Sequence, residues 1–470
     1  MLTRLFKNQN NKFILFLENL FKSPLYILLI AVMAAVAEIF SIEIIAFYVF
    51  FAFGVIVPSL FGKDMTGLIA PLIMMPICIS LKTGIDEPTI IMGKNILHFF
   101  IIFPLGIILL VARFVFDLIT NPERRHIKPR MLIGIIILSV AYLCGGLVSP
   151  FASFESTFFG LREVAAITIA YFYFLYTIDW TRFKKDYFAW VFLFYGLVIA
   201  AEIFVFWFRD AGLYENVFVK FGWGISNDAA CHLAMCVGPI GYLVIKKKQW
   251  FSWMFVLAIL VVLTACIFTD SRGGTIAIAV VSLITLIIIE IKAKVWAKII
   301  SALLGIAYAV AFALSFYVLK IEWLVTHFDK LSRFWSDLFA FGDVNHFLSG
   351  RITIWQYGID QFFDHPLLGV GWLQCADEFG FVWPARYHDT LVQIFASTGI
   401  IGFIGYFVYR VQSSMLSLKN PTIEKVMLFM IGLGLFTAGL VDNHFFNVWP
   451  VVTYSVVLAM IEGEDLRKAR

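Results

Sequence analysis

The sequence predicts an all-α integral membrane protein, a polytopic bundle of about 12–14 transmembrane helices with one long extracytoplasmic loop that contains amphipathic helical segments. Three observations carry this. Of the 470 residues 61% are hydrophobic and only 14% charged, and the mean hydropathy is +0.89, far above that of a soluble domain. Apolar runs of roughly 17–25 residues recur along the chain, which is the length of a bilayer-crossing helix. These runs lack the apolar–polar alternation of outer-membrane strands. No Gly/Ser-rich or Pro-rich linker divides the chain, so residues 1–470 read as a single polytopic membrane domain.

Taken in order, the amino terminus carries Arg4, Lys7, Lys12 and Lys22 without a small-residue cleavage site, and reads as a cytoplasmic tail. Spans follow at Leu25 to Phe40, Ile44 to Leu60, Gly67 to Leu81, Leu97 to Ile119, Met131 to Val148, Thr157 to Thr177 and Tyr187 to Phe208. The second half adds Asp228 to Ile245, Trp250 to Phe268, Gly273 to Ile289, Trp296 to Leu319, Thr390 to Tyr409, Val426 to Leu440 and Val448 to Ile461. A count of about 12 results if short segments near the start are re-entrant. Lysine and arginine concentrate in alternate loops, including Arg124-Arg125, Lys184-Lys185, Lys246-Lys247-Lys248 and Lys292 with Lys294. The positive-inside rule then places both termini in the cytoplasm and the long loop, residues 320–389, outside.

A net charge of +4 spread over short loops follows membrane topology and does not form a nucleic-acid surface. The six cysteines include no C-x-x-C pair, which indicates neither a disulfide framework nor a zinc site. His346, His365, His388 and His444 have no metal-ligand spacing, so neither a metal nor another cofactor is expected.

The orientation collects the residues that can do chemistry on the outer face. Ser271-Arg272-Gly273-Gly274 begins a span, where free N–H groups and a partial positive charge favour an anion such as a diphosphate. The alternative for Arg272 is an anchor among lipid headgroups. Arg351 heads an amphipathic segment (Ile352, Trp355, Ile359, Phe362, Phe363) expected to end before His365-Pro366. It too stands at a positive helix end, or serves as a solvated cap. His388 directly precedes Asp389, the expected N-cap of the span beginning at Thr390. It can take a proton from a sugar hydroxyl, orient that hydroxyl, or hold the loop by a structural hydrogen bond. Arg162, next to Glu163 at the start of the sixth span, and His444, in Asp442-Asn443-His444, are further candidates for lining the site. Glu202 and Glu38 are acids inside spans, which ordinarily face a partner or a cavity.

Together Ser271-Arg272-Gly273, Arg351 to Trp355, His365-Pro366-Leu367-Leu368-Gly369-Val370-Gly371 and His388-Asp389-Thr390-Leu391 resemble the O-antigen ligase and polymerase superfamily of bacterial membrane glycosyltransferases. The order and spacing carry the resemblance; the first half of the chain matches only as a set of spans. The resemblance implies a metal-independent, GT-C-like enzyme of the cell envelope. Such an enzyme moves a glycan from a polyprenyl-diphosphate donor, for example undecaprenyl diphosphate, onto a lipid or glycan acceptor at the outer face of the cytoplasmic membrane. By the same resemblance Arg272 and Arg351, with Ser271 and Gly273, would hold the diphosphate, and His388 would activate the acceptor. Asp389 departs from the asparagine common in the family pattern. A ligase forming lipopolysaccharide-like products leads; a polymerase joining polyprenyl-linked repeat units needs the same donor site. A polysaccharide flippase would instead want polar groups near the bilayer midplane, and an assembly scaffold would need none of these side chains.

Overall fold

The computed structural model describes residues 12–80, 101–209, 219–317, 351–373 and 387–468. The extreme amino terminus, His346, Cys375 and the 320–350 and 374–386 parts of the expected loop lie outside the described residues. Among the described residues the chain is helical apart from loops and one two-stranded hairpin, as expected of an all-α membrane protein. Eight helices are long and apolar enough to cross a membrane, or nine when a bent pair at the start counts as one span. That pair is α1 (Lys12–Phe21) and α2 (Pro24–Phe40), meeting at 65°. The bend follows from Ser23, whose side chain caps α2 by accepting from the Tyr26 N–H at 3.2 Å, with Pro24 in the first position.

The next helix, α3 (Glu43–Phe61), contains a wide π-turn over Phe51–Ile56. The expected span from Gly67 to Leu81 is the element that differs. It forms only α4 (Ile69–Met74) and α5 (Pro76–Ile79), because Pro71 and Pro76 interrupt the helical ladder. Its irregular backbone is buried in protein and supplied with partners. The Tyr26 hydroxyl donates to Gly67 O at 2.7 Å, Tyr187 to Thr66 O at 3.2 Å, and the Trp223 indole to Ile73 O at 3.3 Å. Apolar surroundings tolerate broken backbone only under that condition.

The remaining longer helices are α6 (Phe103–Thr120), α7 (Leu132–Leu147), α8 (Phe154–Thr177), α9 (Tyr187–Arg209), α10 (Ser226–Lys246), α11 (Ser252–Phe268), α12 (Arg272–Lys292) and α13 (Val295–Tyr317). After them come α14 (Arg351–Asp364), α15 (Thr390–Leu418), α16 (Ile423–Gly439) and α17 (Val448–Lys468). The axis of the bundle is α10, buried at every residue from Asp228 to Val244. It packs against α9, α11, α12 and α16. Small residues let the helices approach: a Cβ at Gly274 would collide with Ala230, and one at Gly273 with the Val441 side chain. A hairpin, β1 (Lys220–Phe221) and β2 (Gly224–Ile225), feeds the start of α10. Glu202 of α9 accepts from the Gly222 N–H at 2.6 Å and so binds this hairpin; the acid inside the span has a backbone partner.

The H-P-L-L-G-V-G turn has a specific structural task. Helix α15 breaks at Gly399, whose φ of 62° and ψ of −158° interrupt the ladder. The carbonyls freed by the break, Ala396 O and Ser397 O, accept from the N–H groups of Val370 (2.8 Å) and Gly371 (3.2 Å). The freed N–H groups of Ile400 and Ile401 donate to Pro366 O (2.8 Å) and Leu367 O (3.4 Å). The turn therefore completes the broken helix and fixes α14, which carries Arg351, against α15, which carries His388 at its start. At Gly399 a side chain would suffer both the positive φ and a Cβ 2.5 Å from the Leu367 carbonyl. Gly399→Ala is expected to destabilise the protein by at least about 1–3 kcal/mol, read as a lower thermal midpoint of the detergent-purified protein.

Candidate active site

The chemistry-bearing residues gather at the end of the bundle formed by the amino termini of α10, α12 and α15. Lys246, Lys292 and Lys425 lie at the opposite ends of their helices. At this end the turn joining α16 to α17, Val441-Asp442-Asn443-His444, is the meeting point.

Helix α12 begins at Arg272, as the sequence indicates. Ser271 is its N-cap: the buried Oγ accepts from the Gly274 N–H at 3.0 Å. Arg272 itself is exposed at the helix start, beside the partial positive charge of the helix amino terminus. The close approach of Gly273 to Val441 seats this helix end directly on the turn. From a different element, Arg351 at the start of α14 is half-buried and donates through its guanidinium to Val441 O. Two helix starts, each bearing an arginine, thus converge on Val441.

His388 adopts the left-handed conformation, φ 53°, immediately before α15, an uncommon state for a residue with a side chain and one often found where function fixes the geometry. Asp389 behaves as expected of a cap, its carboxylate accepting from the Val392 N–H at 2.8 Å. Burial raises its pKa against the lowering influence of the Val392 and Leu391 N–H groups. The His388 ring places Nδ1 3.2 Å from Asp442 Oδ1 and keeps 34% of its side chain open. With Nδ1–H donating to the carboxylate, Nε2 carries the lone pair and is left to face a substrate.

Asp442 is held from several sides. Its Oδ1 also accepts from the Asn443 N–H at 2.7 Å, and its Oδ2 from the Asn227 amide at 2.6 Å. Burial raises its pKa, but the His388 hydrogen bond and the positive charge of His444, His388 and Arg351 outweigh burial and hold the carboxyl well below the usual range. A carboxyl depressed in the fold stabilises above its unfolded value of about 3.9 and loses that contribution as pH falls through the folded value. The stability gap between wild type and Asp442→Asn is therefore expected to close in acid, as pH falls below about 4. Thermal unfolding across pH measures it.

Gln393 fixes the start of α15 to the same turn, accepting from the Asn443 amide (2.7 Å) and the Tyr387 N–H (3.2 Å) and donating to Ser397 (2.7 Å). His444 faces away from His388: its Nδ1 lies 2.9 Å from Asp228 Oδ1, and Asn447 donates to the same oxygen. It is buried and ties the turn to α10, two residues from Asp442 rather than on an open surface. Arg162 is not joined to this network. Its guanidinium donates to Glu163 at 3.0 Å and lies 4.3 Å from the Phe159 ring.

The structure therefore brings together Ser271, Arg272, Gly273, Arg351, His388 and Asp389 around one turn. It adds Asn227, which sequence reasoning did not single out, and gives Asp442, expected only as part of an Asp442-Asn443-His444 turn that could line the site, its specific place as the partner of His388. Asp442 was visible only as part of a polar turn, and Asn227 as one of three polar residues, Ser226-Asn227-Asp228, at the start of a span. Nothing local marks either as the partner of a residue at least 44 positions away.

A network of this kind can bind an anion at the two arginines and accept a proton at His388 Nε2, with Asp442 stabilising the resulting imidazolium. No curated protein matches the chain. Residues 254–407, which span α11 to the middle of α15 and include Arg272, Arg351 and His388, match the family model described as O-antigen ligase.

Proposed function

We propose that the protein transfers a glycan from a polyprenyl-diphosphate donor to a hydroxyl of a surface lipid or glycan acceptor, as a ligase, at the outer face of the cytoplasmic membrane. The observation that carries this reading is the convergence of two arginine-headed helix starts on the turn whose Asp442 pairs with His388.

In this reading Arg272 and Arg351 bind the diphosphate, helped by the N–H groups that follow Ser271. The acceptor oxygen attacks the anomeric carbon, and the bond from that carbon to the diphosphate oxygen breaks with its electron pair going to the leaving group. The acceptor proton passes to His388 Nε2. Negative charge develops on the leaving diphosphate and positive charge on the acceptor oxygen, on the two sides of the anomeric carbon, and fixed cations and a fixed carboxylate stabilise them without reorganisation. The chain's own residues supply all of these roles, consistent with a metal-independent reaction. The lysine-rich opposite end of the bundle supports an external site under the positive-inside rule.

The experiment supplies purified protein in nanodiscs with a labelled polyprenyl-diphosphate glycan and either a lipid-core acceptor or a second carrier-linked glycan. Transfer to the lipid core supports a ligase. Growth of the carrier-linked glycan in its place assigns a polymerase, which uses the same donor site. Movement of label across the bilayer without any new glycosidic bond contradicts both.

A further inference from the structure

We infer that Asn227 is a positioning residue that couples the carboxylate behind His388 to the arginine-bearing end of α12; the inference rests on the glycan-transfer reading above. The His388–Asp442 pair and the Ser271 cap of α12 come from distant parts of the chain, and Asn227 touches both. Its Nδ2 donates to Asp442 Oδ2 at 2.6 Å, and its Oδ1 accepts from the Ser271 hydroxyl at 2.7 Å. The Ser271 proton is spent on Asn227, which leaves its lone pairs to cap the Gly274 N–H at 3.0 Å. Donor and acceptor roles thus agree at every step from His388 to the backbone of α12.

The chemistry selects an amide at this position. A carboxylate needs a donor and a hydroxyl needs an acceptor, and among short side chains only asparagine offers both, on opposite sides of one rigid plane. The residue is placed for this by the hairpin Lys220–Ile225, which enters α10 with Ile225 in extended conformation and sets Asn227 in the first turn. Asp228, the next residue, is committed elsewhere, to the Ile225 N–H, His444 and Asn447. Arg272 follows Ser271 directly, so a shift of the α12 terminus when diphosphate binds acts on Asn227 and through it on the carboxylate that orients His388. The base is then set most firmly when the donor is in place.

Two variants test this in full-length protein in nanodiscs, with Arg272→Ala and His388→Asn as controls for the reading itself. Asn227→Leu, close in shape but without polar atoms, is expected to lower kcat about 10- to 100-fold with the donor KM within about 2-fold. Asn227→Asp retains the acceptor for Ser271 but turns a second carboxylate toward Asp442. At pH 8 it is expected to be as impaired as Asn227→Leu. As the pH is lowered toward 5 the two carboxylates share a proton and a hydroxyl donor to Asp442 is restored. The activity of Asn227→Asp relative to wild type then rises by about 5-fold or more, whereas the relative activity of Asn227→Leu stays flat. His388, His444, Arg351 and Asp228, the charged or titratable groups around the pair, are common to all forms, so the ratio isolates position 227.

The inference is overturned if Asn227→Leu retains wild-type kcat, or if the relative activity of Asn227→Asp is as flat with pH as that of Asn227→Leu, which marks a merely structural asparagine. If Asn227→Leu does not yield monodisperse protein, the pH ratio of Asn227→Asp decides alone. Retention of transfer by Arg272→Ala and His388→Asn would sink the functional reading, a separate result.

Discussion

Replacing His388 by asparagine is expected to lower glycan transfer by about 10²- to 10⁴-fold, the range for loss of a positioned general base. Asparagine is the informative choice because the position has φ 53°; among residues with a side chain it tolerates that conformation well, so the backbone before α15 survives. Its amide can still donate to Asp442, and the turn keeps a partner. What is removed is the nitrogen lone pair that receives the acceptor proton. Donor affinity should change little, because the diphosphate is assigned to other side chains. Measuring kcat for transfer and, separately, the Kd for labelled donor distinguishes this from a collapsed site, in which both would fail.

The second large effect is expected at the arginines. Arg272→Ala and Arg351→Ala should each cost about 10²- to 10³-fold in kcat/KM, the magnitude of removing one donor from a site that stabilises a developing anion. The double variant should lose less than the product of the two, since both act on the same diphosphate. The two positions should differ in character. Arg272 is exposed at a helix start, whereas the Arg351 guanidinium is half-buried, donates to Val441 O and lies among the charges that keep Asp442 ionised. Arg351→Lys should therefore remain impaired, because a point charge does not reproduce a planar fork of donors. Arg272→Lys should retain more activity. Steady-state transfer rates over a range of donor concentration read both effects.

The parts of this site that were legible in the sequence are those fixed by local chemistry. Ser271-Arg272-Gly273-Gly274 marks a helix start, and Asp389 ahead of Thr390 a capped one; both helix starts are found there. The amphipathic spacing after Arg351 and the His365-Pro366 stop give α14 its limits. Length and apolarity place a helix at nearly every expected span, because in lipid a helix satisfies its own backbone, although among the described residues only eight or nine are long and apolar enough to cross a membrane. Gly67 to Leu81 passes the same composition test and is nevertheless broken, since two prolines interrupt a segment that the surrounding protein can satisfy.

What the sequence did not disclose is pairing. The glycines of the H-P-L-L-G-V-G turn are recognisable as turn residues, but their use in completing the break at Gly399 depends on a helix that starts only at Thr390. Asp442, buried beside His388, looks in sequence like an ordinary polar turn. Asn227 sits on a third helix. The family match over residues 254–407 contains the two arginines and the histidine but neither of these partners. The site is completed by folding α10 and the α16–α17 turn against the matched segment.

The most direct test of the central claim is a cryo-electron-microscopy structure of the protein in nanodiscs with a non-transferable phosphonate analogue of the polyprenyl-diphosphate glycan. The expected result has the diphosphonate bonded by both Arg272 and Arg351 at the start of α12, the first sugar beside His388 Nε2, and His388 still paired with Asp442. A diphosphonate bound elsewhere, or held with either arginine turned to lipid, would contradict the assignment.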